Sequence, residues 1–161
     1  IMDGIKKARG QYIAWMDCNL TMPSSLLPKM VSLLKDYDVV VGSRYTKGGK
    51  DNRSFIRVTT SRLINLFANI ILNFKVLDYD SGFIAAKREV LDKVRFNPSG
   101  HGEYCIEFLY KCTRKKYKVK EVGYVFTERK LGESKTAQYI YSVFLYGIHY
   151  INRIIKVRLK N

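Results

Sequence analysis

Tyr12-Ile13-Ala14-Trp15-Met16 is an apolar run preceded by Gly10 and cut off at Asp17, a pattern that predicts a short buried strand. Ile1 to Ala8 reads as the end of a helix, with Gly10 as its stop, so the chain is expected to begin inside a domain. Pro23-Ser24-Ser25 opens a helix whose apolar face is Leu26, Leu27, Met30, Leu33 and Leu34. A second run, Val39-Val40-Val41-Gly42, follows Asp38. Two unbroken apolar runs separated by one helix predict a βαβ unit with a parallel strand pair.

Ser43 to Ser54 is polar, contains Gly48-Gly49, and is expected to be a mobile loop. Helical spacing returns from Ile56 to Phe74, with Leu63, Phe67, Ile70, Ile71 and Phe74 on one face. Arg57 and Ser61 lie four apart, on one side of its first turns. Ser81 to Ala86 predicts a strand entering a helix at 87–94, another helix covers 103–115, and 119–126 reads as a strand. No internal repeat is visible.

Tyr139 to Asn152 carries no formal charge and is followed by Arg153, Lys156, Arg158 and Lys160. Fourteen uncharged residues fall short of the ~20 that an unaided transmembrane span needs. Ile140, Val143, Phe144, Ile148, Ile151 and Ile155 share one helical face, with Ser142, His149, Asn152, Arg153 and Lys156 mostly opposite. Four tyrosines, 139, 141, 146 and 150, suit a headgroup layer. Two readings stand: a helix lying in a membrane interface, or one packed on the domain.

Composition narrows the classes of function. The chain has 161 residues, 47% of them hydrophobic, enough to bury a core and too many for a disordered basic tail. The net charge is +15, which points to an anionic partner: nucleic acid, an anionic membrane or a phosphorylated substrate. With 13 Lys and Arg against 3 Asp and Glu, residues 108–161 hold +10 of it. Cys18, Cys105 and Cys112 form no even framework and no Cys-x-x-Cys pair, so reduced thiols are expected. His101 and His149 are too far apart in sequence to imply structural zinc.

Asp17-Cys18-Asn19 stands just past a predicted strand, on the sheet edge where open α/β folds bind ligands. Two oxygen-bearing side chains two residues apart can reach one hard cation, Mg²⁺ or Mn²⁺, which completes its shell with phosphate oxygens. Such residues also serve as plain turn formers. Arg44, after the second strand, can hold a phosphate through its guanidinium, or lie on the surface. Arg57 and Ser61 add a cation and a hydroxyl near a helix start, where backbone N–H groups favour anions. Arg129 to Lys135 places three cations and Ser134 around Gly132, either an anion-holding loop or a solvated charge run.

Asp17-Cys18-Asn19, then Val39-Val40-Val41-Gly42-Ser43-Arg44-Tyr45 with Gly48-Gly49, resembles the glycosyltransferase family 2 pattern. Asp78-Tyr79-Asp80-Ser81-Gly82-Phe83 and Arg129-Lys130-Leu131-Gly132-Glu133-Ser134-Lys135 resemble its dolichol-phosphate mannosyltransferase branch and bacterial polyprenyl-phosphate relatives. The resemblance implies a GT-A fold, an α/β architecture with a mixed, mostly parallel sheet. It implies residues 1–136 as the carboxyl-terminal portion of that domain; 137–161, beyond the resemblance, read from their own pattern as an amphipathic helix with a membrane interface as one of its two readings. It further implies a nucleoside-diphosphate sugar donor (GDP- or UDP-linked), a divalent metal, and a polyprenyl phosphate acceptor attacked with inversion. Asp17 matches the first acid of the family's Asp-x-Asp motif, and Asn19 stands where the second acid usually sits. Arg44 matches the arginine of the Gly-Ser-Arg-Tyr motif, with a catalytic role alongside Asp17. Arg57, Ser61 and Arg129 match acceptor-phosphate positions, and Ser134 and Lys135 belong to the loop that closes the site.

Asn at 19 removes one charge from the metal site. The opening half of the domain, with the residues that grip the base, is expected to be missing from this chain. The expected location is the cytoplasmic face of a membrane, with no nucleic acid partner. Removal of the Arg44 side chain is expected to stop transfer with the fold intact. Two further readings stand beside the transferase: a non-catalytic remnant that binds membrane or partner chains, and a basic nucleic-acid-binding module.

Overall fold

The computed structural model describes residues 1–100, 102–128 and 140–160. Helix α1 (Met2–Lys7) leads into strand β1 (Tyr12–Trp15). A 3₁₀ turn (Ser24–Leu26) continues into α2 (Leu27–Leu33), with Pro28 in its first turn, where a missing N–H costs nothing. Then come β2 (Val39–Ser43), β3 (Lys50–Asp51), α3 (Phe55–Ile71), β4 (Ile84–Lys87) and α4 (Arg88–Lys93). The chain continues with α5 (Tyr104–Arg114), β5 (Val119–Gly123), β6 (Val125–Phe126) and α6 (Ile140–Lys160).

The main sheet has the order β1-β4-β2-β5. β1 and β2 run the same way, as the βαβ reading requires, but they are not neighbours. β4 lies between them, antiparallel to both, with Ala85 opposite Ala14 on one side and Val40 on the other. The parallel pairing is β2 with β5, Val41 facing Glu121. Three of the four strands therefore share a direction, and one reversed strand makes the sheet mixed.

Alternation along the strands divides the core. Val39, Val41, Ile84 and Ala86 face α3, α5 and α6, where Ala68, Phe108, Leu109 and Ile154 are buried. Val40, Phe83, Ala85 and Val122 face the other way, onto Met30 and Leu34 of α2. Both faces are covered, which is why the strands read as continuous apolar runs.

The segment expected as a mobile loop holds a strand. β3 pairs in parallel with β6, Lys50 opposite Val125 and Asp51 opposite Phe126. Gly123 permits the close approach: a Cβ there would lie 2.4 Å from the Lys47 carbonyl oxygen.

Helix α3 differs from the periodicity reading. Phe67 and Ile71 pack on the core, but Leu63 and Phe74 are 61% and 67% exposed. Its buried positions include Ser61, Asn65, Ala68 and Asn69. The reason is what α3 covers. Asn65 Oδ1 accepts from the Asp80 N–H at 3.3 Å, and Asn69 Nδ2 donates to the Leu77 carbonyl at 3.4 Å. Irregular backbone at 77–80 needs polar partners that an apolar face cannot supply.

Helix α6 packs against α3 and α5. Ile154 and Val157 are buried, Arg153 Nη1 pairs with Glu107 at 2.8 Å, and Arg158 Nη1 donates to the Tyr110 hydroxyl at 3.1 Å. Ile148, Ile151 and Ile155, expected on one apolar face, are each about half exposed. Among the described residues no helix is long and apolar enough to cross a membrane. All three cysteines are free thiols, with Cys105 and Cys112 buried.

Candidate active site

The carboxyl ends of β1, β2 and β5 open onto a cavity of about 340 Å³. Asp17, Asn19, Arg44, Arg57 and Ser61 all line it. Residues from three separate stretches of sequence, two strand ends and one helix start, thus meet in one place. Arg129, Ser134 and Lys135 lie outside the described residues.

Asp17 and Asn19 occupy the turn after β1. Asn19 Oδ1 accepts from both the Thr21 N–H at 3.1 Å and the Thr21 hydroxyl at 2.6 Å. Between them Leu20 sits at φ 61°, in the left-handed region, with its side chain 76% exposed. A non-glycine residue held there costs free energy that the surrounding turn must offset. Asp17 and Asn19 offer oxygen, which suits Mg²⁺ or Mn²⁺, with the free thiol of Cys18 between them in sequence. Asp17 brings the one carboxylate; Asn19 would join a cation that takes the rest of its shell from a diphosphate once its Oδ1 is released by Thr21. Among the described residues no cluster of three or more His, Cys, Asp or Glu gathers to hold a metal.

Arg44 leaves the end of β2 and turns inward, only 5% exposed. Its N–H and Nε donate to Asp78 Oδ2, both at 2.9 Å, and Nη2 donates to Asp78 Oδ1 at 2.6 Å. Nη2 also reaches Asp80 Oδ2 at 3.2 Å, while Nη1 lies 3.8 Å from Asp51. Burial disfavours the cation, but Asp78 and Asp80 outweigh it and hold the guanidinium well above its ordinary pKa. Asp51 is also buried; its bidentate pairing with Arg53 and the charge of Arg44 leave its pKa below the ordinary 3.8. Asp80 is pushed the other way: burial and neighbouring Asp78 raise it despite Arg44.

Arg57 and Ser61 project from the first two turns of α3. Arg57 Nη1 lies 3.6 Å from Glu128, which is half exposed and also accepts from the Ser54 N–H at 3.2 Å. An exposed carboxylate at this distance is held weakly and is readily exchanged for another anion. Ser61 Oγ points to Asp80 Oδ2 at 3.4 Å. The sequence reading gave no role to Asp51, Arg53, Asp78, Asp80 or Glu128, and placed Tyr150 in a headgroup layer instead of the cavity it lines. Asp78 and Asp80 stood in a motif carried by resemblance, but nothing in the sequence tied them to Arg44, 34 and 36 residues away.

Residues 1–95 match the family model described as Glycosyl transferase family 2. The chain is 37% identical over 140 residues to a dolichol-phosphate mannosyltransferase of Pyrococcus furiosus, covering 84% of this chain and 39% of that protein. It is 34% identical over 101 residues to a polyprenol monophosphomannose synthase of Mycolicibacterium smegmatis, covering 61% of this chain and 38% of that protein. The chain thus spans about two fifths of the length of these curated relatives. Among solved structures it resembles glucosyl-3-phosphoglycerate synthase from Mycobacterium tuberculosis with UDP, at a TM-score of 0.68 and 17% identity over 96% of this chain and 52% of that one. The same enzyme with Mn²⁺, UDP and glucosyl-3-phosphoglycerate gives a TM-score of 0.66 at 18% identity, over the same shares of the two chains. This likeness is one of fold, the GT-A architecture. With the family matched over more than half its length, the chain belongs to glycosyl transferase family 2.

Proposed function

We propose that this chain carries the acceptor side of an enzyme that transfers a sugar from a nucleoside-diphosphate sugar to a polyprenyl phosphate, with inversion at the anomeric carbon. The observation that carries the reading is the single cavity lined by Asp17 and Asn19 at one end and by Arg57 and Ser61 on α3. The relatives named for dolichol-phosphate and polyprenol mannose transfer support the acceptor class.

The lipid phosphate oxygen attacks the sugar carbon and the nucleoside diphosphate leaves. A phosphate monoester with a second pKa near 6 is largely a dianion at neutral pH, so no side chain need remove a proton from it. The demand is on charge and position. Asp17 and Asn19 would hold Mg²⁺ or Mn²⁺, which supplies neutralisation of the leaving diphosphate. Arg57, with Glu128 exchanged for the incoming phosphate, and Ser61 would place the acceptor. Arg44 shares the acceptor wall, and its pairs with Asp78 and Asp80 fix the backbone on which that wall stands. The segment with Arg129, Ser134 and Lys135 would add cations at closure.

A membrane surface, at its cytoplasmic face, belongs to the same proposal. Leu63, Leu66 and Ile70 of α3 and Phe74 just past it are exposed, as are Ile148, Ile151, Ile155 and Leu159 of the adjacent α6. Paired helices that present such side chains beside a basic surface suit the interface of an anionic leaflet. The test is transfer from labelled GDP- and UDP-sugars to polyprenyl phosphate in the presence of Mn²⁺, read as label in the extracted lipid. Label that appears only as free sugar, whatever the acceptor, would contradict the proposal.

A further inference from the structure

Asp80 enters the cavity from the turn between α3 and β4. Its Oδ2 accepts from Arg44 Nη2 at 3.2 Å and from Ser61 Oγ at 3.4 Å, and Tyr150 of α6 lines the same cavity with its hydroxyl coupled electrostatically to this carboxylate. Three elements far apart in sequence therefore bring a guanidinium and two hydroxyls to one anionic group. That donor set is what a phosphate oxygen would seek.

Accessibility separates Asp80 from the other carboxylates around Arg44. Its side chain is 18% exposed, against 0% for Asp78 and 1% for Asp51. It is the one of these three that a ligand in the cavity meets. Glycine at 102 leaves room for the Tyr150 hydroxyl: a Cβ there would lie 2.6 Å from its oxygen.

We propose that Asp80 sets the affinity of the cavity for the lipid phosphate by standing on the phosphate's own donors, so that acceptor binding is linked to proton uptake at this carboxyl. Ionised, Asp80 occupies Ser61 and repels the phosphate. Neutral, it releases Ser61 and becomes a hydrogen-bond donor itself. The proposal rests on the acceptor reading given above.

The charged and titratable surroundings are mixed. Arg44 from the end of β2 and Arg53 beyond β3 favour the ionised form, and Asp78 in the same turn disfavours it. Tyr124 stands between β5 and β6, Asn65 of α3 accepts from the Asp80 N–H, and Cys105 and Glu103 face Tyr150 from the start of α5. Burial dominates, and the carboxyl is held above its ordinary range. The protonated form is thereby brought closer to the pH of binding.

Farnesyl phosphate, a short soluble polyprenyl phosphate, serves as the probe, titrated calorimetrically into the intact gene product between pH 5.5 and 8. Wild-type affinity is expected to fall as pH rises. The ligand's own ionisation, near pH 6, is common to every variant and cancels between them. Asp80→Asn keeps shape and removes charge. It is expected to bind on the order of tenfold more tightly than wild type at pH 8, with a flatter pH dependence. Tyr150→Phe removes a polar hydroxyl coupled to the ionised carboxylate, so the pH at which affinity is lost should move upward. An Asp80→Asn variant that binds no tighter at pH 8, or keeps the wild-type pH dependence, overturns the proposal. A Tyr150→Phe curve that does not move, in protein with unchanged thermal unfolding, overturns it too. Binding of a nucleoside-diphosphate sugar without any binding of farnesyl phosphate would instead sink the acceptor reading, and this inference with it.

Discussion

Arg44 makes four hydrogen bonds to two carboxylates inside the protein, and this fixes what its removal does. Arg44→Ala leaves Asp78 buried without its counter-charge, a loss of about 3–5 kcal/mol, read by chemical denaturation. The expectation from sequence, an intact fold without activity, does not allow for that burial. Arg57 is the contrast. Its partner Glu128 is half exposed, so Arg57→Ala should change stability by less than about 1 kcal/mol. Its effect belongs to the acceptor: kcat/KM for polyprenyl phosphate should drop roughly 10–100-fold, with donor KM little changed. Asp51 offers a test with a definite sign. Its folded pKa lies below 3.8, so its pairing with Arg53 stabilises fully above that value and is lost as pH falls through the folded one. The stability gap between wild type and Asp51→Asn should therefore be full at pH 7 and should close on acidification below about 3.8. Of these residues, Asp17, Arg44, Arg57 and Ser61 were legible because each follows a strand end or a helix start. The carboxylates that hold Arg44 were not, since only the fold brings residues 51, 78 and 80 to residue 44.

At the scale of elements, the strands of the main sheet were legible and their neighbours were not, while the two-residue β3 was hidden in a polar segment. Val39-Val40-Val41 is apolar on both sides because helices cover both faces of the sheet. No pattern in the sequence says that β4 inserts between β1 and β2, because pairing is decided between strands and not within one. Helix α3 was misread for a related reason. Apolar spacing marks a face that leaves water, but it does not say whether protein or lipid replaces the water. Here the inward face carries Asn65 and Asn69, and Leu63 and Phe74 point outward. A Leu63→Glu, Phe74→Glu double variant should therefore keep the wild-type thermal midpoint and lose binding to anionic phospholipid vesicles in a flotation assay. Helix α6 divides in the same manner. Ile154→Ala removes a fully buried side chain and should cost about 2–5 kcal/mol, while Ile148→Ala, on the open side, should stay within about 0.5 kcal/mol. An Ile154→Ala variant as stable as wild type would mean that α6 does not pack on α5 in solution.

For the whole molecule, charge and architecture point the same way. The last third of the chain holds +10 of the +15 net charge and includes α6 beside the cavity. A positive surface adjoining exposed apolar helices fits a lipid phosphate at a membrane better than a single-stranded nucleic acid, whose binding leans on exposed stacking aromatics. The aromatics are instead largely spent on packing, as in the edge contact of Trp15 with Phe108 and of Phe83 with Tyr124. The central claim is that the cavity joins a metal-bound donor diphosphate to a lipid phosphate. The most direct measurement is release of nucleoside diphosphate by the intact gene product, with Mn²⁺ and a panel of GDP- and UDP-sugars, as polyprenyl phosphate is added. Release should rise with the acceptor, saturate, and vanish both in Asp17→Ala and on chelation of the metal. Release that ignores polyprenyl phosphate, or that survives in Asp17→Ala, would contradict the claim.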